Sequence, residues 1–486
     1  MTTLHRHVGA LALALGIGTC LAQAAGGAEI GANDDTGKYA SDNGAAFYER
    51  MAAVGLRQTV ITVRWKPSDP LGILESGLLE DTIPAAEGAG LKVVLAVYPY
   101  PPRELDSGIA TPTAFGSWLE RLARRYPTVR QYVVGNEPNQ PAFFRPQFGR
   151  TGKPLSAARF GPYLAAGYDT LKALDPELTV VGVGLSPRGN DRPFARSNVS
   201  TSPVRWLAAL GRWYRSTGRD RPLMDGLSFH PYPNHATDPL VRGYPWPNAG
   251  FVNLDRIRQA VWDAFAGTSQ PTTLDGLRLY LDEVGWQVDT STNVAYTGFE
   301  NVRVTTEARQ ASIYGELVRR ATCEPDLAEL NLFGFYDDPL RSGFQAALFR
   351  ADGFPRPAVE VVRTAIAEAT SCLASVAAWT PLRKVRGVTA PRVARRGDLL
   401  DVRIAAGEGA RVIACVVPRP SSPELLGPRL RRSTARTPGC AVGAIISSIR
   451  PLVLRLPRSS PGTLVGARLV AESNPRRVTV VHLVFR

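Results

Sequence analysis

Long apolar runs are scarce in this 486-residue chain. Past the N-terminal region there is no stretch of about 18 apolar residues, the length that spans a bilayer, so no stable membrane insertion is expected of the body. A Gly-X-Y period and a sustained heptad array are both missing, which excludes collagen-like and coiled-coil architectures. Cysteines are few, five in all, and their spacing fits no zinc motif. No glycine-rich phosphate loop follows the first strand-like segment, where Gly31-Ala32-Asn33-Asp34 stands instead, so no dinucleotide fingerprint is present. No metal and no cofactor are expected.

The composition that is present is globular. Hydrophobic residues make up 44% and charged residues 21%, enough apolar material for a large core and too little charge for wholesale disorder. The N-terminus reads as an export signal. His5, Arg6 and His7 precede an apolar stretch from Val8 to Ala22, and Ala22-Gln23-Ala24 supplies small residues at a cleavage site. Residues 1–24 are therefore set apart, and a secreted or extracytoplasmic, bacterial chain is expected. Cysteine usage agrees. Without Cys20, the candidates Cys323, Cys372, Cys415 and Cys440 cluster as Cys323–Cys372 and Cys415–Cys440, one disulfide for each of two domains.

Charge is uneven. The net charge is +14, and it is concentrated in residues 375–486, where arginine dominates and acids are few. Such a module could hold an exported protein near an anionic wall polymer, a lipid or an acidic polysaccharide. A solvated surface in an arginine-rich chain is the plainer alternative. Nucleic acid is not expected as a partner, because the tail offers only Trp379 and Phe485 for stacking.

Residues 25–374 alternate short β-type runs with helical stretches. The strands expected are Glu29–Ala32, Gln58–Arg64, Lys92–Val97, Gln131–Gly135, Thr179–Gly184, Gly226–His230, Arg278–Asp282 and Glu329–Phe335. Helical periodicity marks Ala45–Val54, Thr113–Arg125, Arg159–Leu174, Val204–Thr217, Thr305–Ala321 and Ala358–Ala369. Eight strand–helix repeats of this kind point to an α/β fold, a (β/α)8 TIM barrel, with a doubly wound open sheet as the alternative. Residues 375–486 change character. After a linker, Leu399–Ile404, Ala410–Val417, Leu452–Leu456, Thr463–Ala471 and Val478–Phe485 are short strands punctuated by Pro, Gly and Ser. They suggest a small all-β, sandwich-like C-terminal domain.

A barrel of this kind carries its chemistry at the C-terminal ends of its strands. Arg64 and Trp65 follow the second strand, and Tyr98 the third. Gly135-Asn136-Glu137-Pro138-Asn139 follows the fourth, and His230-Pro231-Tyr232 the sixth. Asp282-Glu283-Val284-Gly285-Trp286 ends the seventh, and Phe335-Tyr336 the eighth. Two glutamates facing each other across one barrel mouth are what glycosidic cleavage needs. One protonates the leaving oxygen and the other attacks the anomeric carbon, or activates a water if the pair stands farther apart. Either Glu alone would be an ordinary solvated loop residue.

These segments resemble the clan of retaining (β/α)8 glycoside hydrolases, clan GH-A, that places its two glutamates on strands four and seven. The likeness covers about residues 29–370, with xylosidase- and iduronidase-like families nearest and cellulase- and mannanase-like families close behind. It implies Glu137 as acid/base, with Asn136 binding a sugar 2-hydroxyl, and Glu283 as nucleophile. Arg64 would support the nucleophile, and His230 and Tyr232 would form the His-x-Tyr of strand six, with the tyrosine contacting the nucleophile. The chain departs from the clan's pattern where Gly135 replaces a common Trp, where Phe335-Tyr336 replaces a Trp platform, and where Tyr98-Pro99-Tyr100 stands in place of a histidine.

On this reading Arg64 and Tyr232 favour the charged form of Glu283, while burial and the neighbouring carboxylate raise the pKa of Glu137. Asp282 points away from Glu283 in a regular strand and serves packing or capping. Trp65, Trp246, Trp286 and Tyr336 are candidate sugar platforms, and Asp34 and Asp35 candidate contacts to a distal hydroxyl. The function expected is an exported glycosidase acting on carbohydrate. A glycan-binding protein on a catalytically dead barrel is the alternative. A lyase or metal-dependent hydrolase would need a lysine, histidine cluster or carboxylate cluster at strand ends that is not found.

Overall fold

A computed structural model describes residues 27–106 and 108–369. Beyond these it describes 379–381, 388, 392–397, 399–406, 410–417, 440–445, 452–457, 464–471 and 478–484. The expected export segment 1–24 and the cysteines Cys20 and Cys372 lie outside the described residues.

Eight strands close into a parallel barrel in sequence order: β1 (Glu29–Asn33), β2 (Gln58–Trp65), β3 (Lys92–Pro99), β4 (Gln131–Val134), β5 (Thr179–Leu185), β6 (Gly226–Phe229), β7 (Arg278–Val284) and β8 (Leu327–Phe333). Closure pairs β1 with β8, from Glu29 opposite Glu329 to Asn33 opposite Phe333. The connecting helices are α1 (Ala45–Val54), α2 (Ser76–Gly88), α3 (Pro102–Asp106), α4 (Pro112–Arg125), α5 (Ser156–Leu174), α6 (Pro203–Thr217), α7 (Leu254–Phe265), α8 (Glu307–Ala321) and α9 (Pro357–Glu368). Helices α2, α3 and α7 add to those expected. Pro84 and the flanking glycines of α2 obscure its periodicity.

The two-residue alternation of the strands sorts side chains between two cores. Val60, Val94, Ala96, Val133 and Val181 fill the barrel interior. Their strand neighbours Ile61, Leu95, Tyr132 and Val180 join the larger core between barrel and helices. Helix α4 shows why these helices form. Thr111 caps it by accepting the Ala114 N–H at 3.1 Å, Pro112 opens it, and Phe115, Trp118, Leu119 and Leu122 present one buried stripe. Full burial of each such large side chain contributes about 1.5–3 kcal/mol.

The N-terminal end of the barrel is closed by polar groups. Glu329 is buried and accepts Lys92 Nζ at 2.7 Å and Gln131 Nε2 at 3.0 Å, while Gln58 Nε2 donates to Asn331 Oδ1 at 2.8 Å. Past the barrel, β9 (Arg392–Arg396), β10 (Leu399–Ile404) and β13 (Leu452–Pro457) form one antiparallel sheet. A second is built from β11 (Ala410–Val417), β12 (Cys440–Ile445), β14 (Leu464–Ala471) and β15 (Val478–Val484). The expected Cys415–Cys440 disulfide joins register partners on β11 and β12. Cys323 is also disulfide-bonded. Strands β9 and β12 add to those expected. Among the described residues no helix is long and apolar enough to cross a membrane.

Candidate active site

Residues at alternate positions of the strands reach the C-terminal mouth together. Strand β4 ends at Val134, and Gly135 then takes a left-handed φ of 117°. A Cβ there would lie 2.8 Å from Phe160 Cζ, so the bulky residue common in the resembling clan does not fit. Glu137 also sits at positive φ, 40°, fixed by its N–H donating to Gly184 O at 2.8 Å. This turn aims the Glu137 carboxylate into the mouth.

On β7 the β8 pairing register shifts between Leu281 and Val284. The irregularity breaks simple alternation, and consecutive residues Asp282 and Glu283 both come within ion-pair distance of one histidine. His230, immediately after β6, is completely buried. Its Nδ1 lies 3.3 Å from Glu137 Oε1 and 3.4 Å from Glu283 Oε2, and its Nε2 lies 3.2 Å from Asp282 Oδ1. The two glutamate oxygens therefore stand no farther apart than the sum of their distances to Nδ1, about 6.7 Å. Tyr232 donates its hydroxyl to Glu283 Oε2 at 3.0 Å.

Burial is the largest influence on Glu283, His230, Tyr232 and Tyr98. It pushes the Glu283 carboxyl up to about 7, reinforced by the charges of Glu137 and Asp282 and opposed by His230 and the Tyr232 hydroxyl. For His230, burial acts to lower the pKa, but Glu283 and Asp282 outweigh it and hold the imidazolium well above the ordinary histidine range. The Tyr232 and Tyr98 hydroxyls are driven up by burial and by the charge of Glu283, so both remain protonated donors. The Glu283 carboxyl is thus raised, whereas its charged form was expected to be favoured. Burial explains the difference, together with the position of Arg64.

Arg64 does not pair with Glu283. Its guanidinium lies 3.6 Å from Glu75 Oε1 and 5.6 Å from the Tyr100 ring centroid. Glu75 is also held by Lys38 at 3.1 Å and Tyr39 at 2.5 Å. Nothing in the sequence marks Glu75 or Lys38, which the loops after β1 and before α2 bring together. Asn136 is half-buried, and its amide makes no hydrogen bond to the described residues.

Three expected sugar platforms are occupied elsewhere. Trp65 follows Arg64 in strand β2 and so faces the opposite way, buried against Phe115 at 5.3 Å. Trp286 is buried in the outer core, with its indole N–H on Asp238 O at 3.0 Å. Strand β8 ends at Phe333, two residues earlier than expected, so Tyr336 lies in the following loop. There it packs on Phe47 and Phe349 and takes a hydrogen bond from Arg50. Trp246 is half-buried, with the Arg205 guanidinium over its ring at 5.8 Å. Asp34 is likewise structural, its Oδ2 accepting the N–H groups of Phe335 at 2.6 Å and Tyr336 at 2.9 Å. Asp35 is half-buried near the mouth, with Oδ1 accepting the Thr62 N–H at 2.8 Å. The aromatic material flanking the two glutamates is instead Tyr98 with Phe143, centroids 6.0 Å apart, and Tyr232 with Phe344, 5.4 Å apart.

No protein-family model and no curated protein sequence matches the chain. Among solved structures it is similar to a family 39 glycoside hydrolase from the gut symbiont Bacteroides cellulosilyticus WH2. That likeness has 15% identity and a TM-score of 0.46, and covers 89% of this chain and 81% of that one. It is also similar to a glucosidase from Croceicoccus marinus, at 12% identity and a TM-score of 0.45 over 86% of this chain and 92% of that one. A third likeness is to an exo-beta-1,4-mannosidase from Opitutaceae bacterium strain TAV5. It has 16% identity and a TM-score of 0.45 over 72% of this chain and 61% of that one.

Proposed function

We propose that this chain is an exported glycoside hydrolase that cleaves a polysaccharide or oligosaccharide with retention of configuration. The observation that carries the reading is the convergence of Glu137 and Glu283 on one imidazole nitrogen at the barrel mouth. That shared contact bounds the separation of the two oxygens at about 6.7 Å, which supports direct attack over activation of an intervening water.

In the reaction so read, ionised Glu283 attacks the anomeric carbon while Glu137 gives its proton to the departing glycosidic oxygen. The C–O bond to the leaving group breaks as the glycosyl ester forms. Glu137, now a carboxylate, takes a proton from water, whose oxygen displaces Glu283. Tyr232 holds Glu283 in line through its hydrogen bond, and Asn136, which follows β4 directly before Glu137, donates its amide to a sugar hydroxyl. Because burial raises the Glu283 carboxyl to about 7, attack requires a pH at which it has lost its proton.

The test is sugar release by the mature chain from β-xylosides, β-glucosides, β-mannosides, uronic-acid glycosides and wall polysaccharides, with Glu137→Gln and Glu283→Gln beside it. Release by wild type and loss in both variants is expected. Folded, glycan-binding but silent wild-type protein would overturn the reading in favour of a binding protein.

A further inference from the structure

We infer that Asp282 is a positioning residue, which anchors His230 so that one N–H is offered to both glutamates at once. This rests on the glycosidase reading for its role in turnover, though not for the anchoring itself.

The geometry is specific. Asp282 is buried, with 3% of its surface exposed. Its Oδ1 accepts the Ser228 hydroxyl from the adjacent strand, and its main-chain oxygen accepts Asn33 Nδ2 at 3.2 Å. The residue is thereby fixed from both sides, by β6 and by β1. His230 Nε2 is completely enclosed and makes no hydrogen bond, and Asp282 Oδ1 at 3.2 Å is the carboxylate oxygen within ion-pair distance of it. A buried N–H without a partner is costly, so the neighbouring negative charge is what makes a doubly protonated ring tolerable there. Gly184 completes the seat, because a Cβ at that position would come within 3.0 Å of Nε2. With the Asp282 carboxylate at ion-pair distance from Nε2, the other ring nitrogen has one proton and two acceptors, Glu137 Oε1 and Glu283 Oε2.

The charged and titratable groups facing this ring are Glu137 after β4, Asp282 and Glu283 on β7, and Tyr232 beyond β6. Arg64, on β2, is held at Glu75. The imidazolium is accordingly the cation that balances the carboxylates. Ser228 and His230 lie two residues apart and so share a face, a pattern present in the sequence but without meaning until Asp282 is placed opposite.

Asp282→Asn separates this role from mere bulk, because two effects have opposite signs. Removing the Asp282 charge directly would ease ionisation of Glu283 and move the acid limb of kcat/KM down. Losing the imidazolium removes the larger, stabilising charge beside Glu283 and moves the limb up. The upward direction is expected, by about one pH unit, which is about tenfold in kcat/KM on the acid side. Ser228→Ala, which leaves every charge in place, should move the limb the same way by less. Titration of ring-15N-labelled His230 in the full chain supplies a readout independent of turnover. Wild type should keep both ring protons above the ordinary histidine range, and Asp282→Asn should lose one nearer to it. A limb that moves down or stays, or an unchanged His230 titration in either folded variant, overturns the inference. An inactive wild type with the expected titration would instead overturn the glycosidase reading alone.

Discussion

The guanidinium of Arg64 stands 3.6 Å from Glu75, so the cation ending β2 is turned from the glutamate on β7 towards the β1–β2 side of the mouth. Its side chain is 39% exposed, and an ion pair this exposed contributes about 1 kcal/mol or less. Arg64→Ala is expected to lower stability by no more than that. Because Arg64 is held at Glu75 and not at Glu283, the acid limb of the kcat/KM profile should keep its position. Thermal denaturation and a pH–rate series check the two halves separately.

The free enzyme should show an acid limb near pH 7. Glu283 is raised to about 7, and as the proposed nucleophile it attacks only when ionised, so kcat/KM should rise about tenfold per pH unit below that point. Tyr232→Phe removes a donor that favours the charged carboxylate. It should raise the limb by a further half to one unit, about 0.7–1.4 kcal/mol, and lower kcat/KM on the acid side by about threefold to tenfold.

Stability should carry the same signature. A carboxyl raised from 4.5 to about 7 binds its proton more tightly in the folded chain than in the unfolded one. Its contribution therefore falls as pH rises across that window, once the unfolded chain has lost the proton and the folded chain has not. Glu283→Gln should be more stable than wild type at pH 8 by about 1–3 kcal/mol and nearly equal to it at pH 4. Denaturant melts at the two pH values measure the difference.

Trp65 and Trp286 should behave as core residues. Replacing either by Ala removes a buried ring and is expected to cost about 3–5 kcal/mol. Trp246→Ala, at a half-buried ring, should cost less than half as much. Urea midpoints distinguish these, and a large loss of sugar binding without loss of stability in Trp286→Phe would contradict the core assignment.

Gly135 should tolerate no side chain. Its φ of 117° and the 2.8 Å separation between Phe160 and the place a methyl group would occupy put Gly135→Ala at about 1–3 kcal/mol of destabilisation. Since Glu137 is two residues on, activity should fall with it, which a paired melt and rate measurement would show.

Much of the architecture is readable in the sequence because it depends on periodicity. Strand β2 (Gln58–Trp65) alternates between the barrel interior and the helix layer, and α1 and α4 carry helical stripes that local chemistry caps and ends. The positions of Glu137, His230, Tyr232 and Glu283 follow from the rule that strand ends build the mouth. Strand ends themselves are less legible. Arg64 at the mouth and Trp65 in the core are consecutive, and the expected end of β8 lies two positions beyond the observed one, so small boundary errors turn core rings into sugar platforms.

The sequence alone determined that Glu137, Glu283, His230 and Tyr232 could meet, because a closed barrel brings strand ends together whatever the loops contain. Only the tertiary structure decided how their charges are balanced. The register shift in β7 sets Asp282 under His230, the loop before α2 draws Arg64 to Glu75, and burial raises Glu283. Each of these depends on distances of a few ångströms between residues far apart in the chain. Electrostatic energies in a desolvated site change steeply over such distances, and no local pattern encodes them.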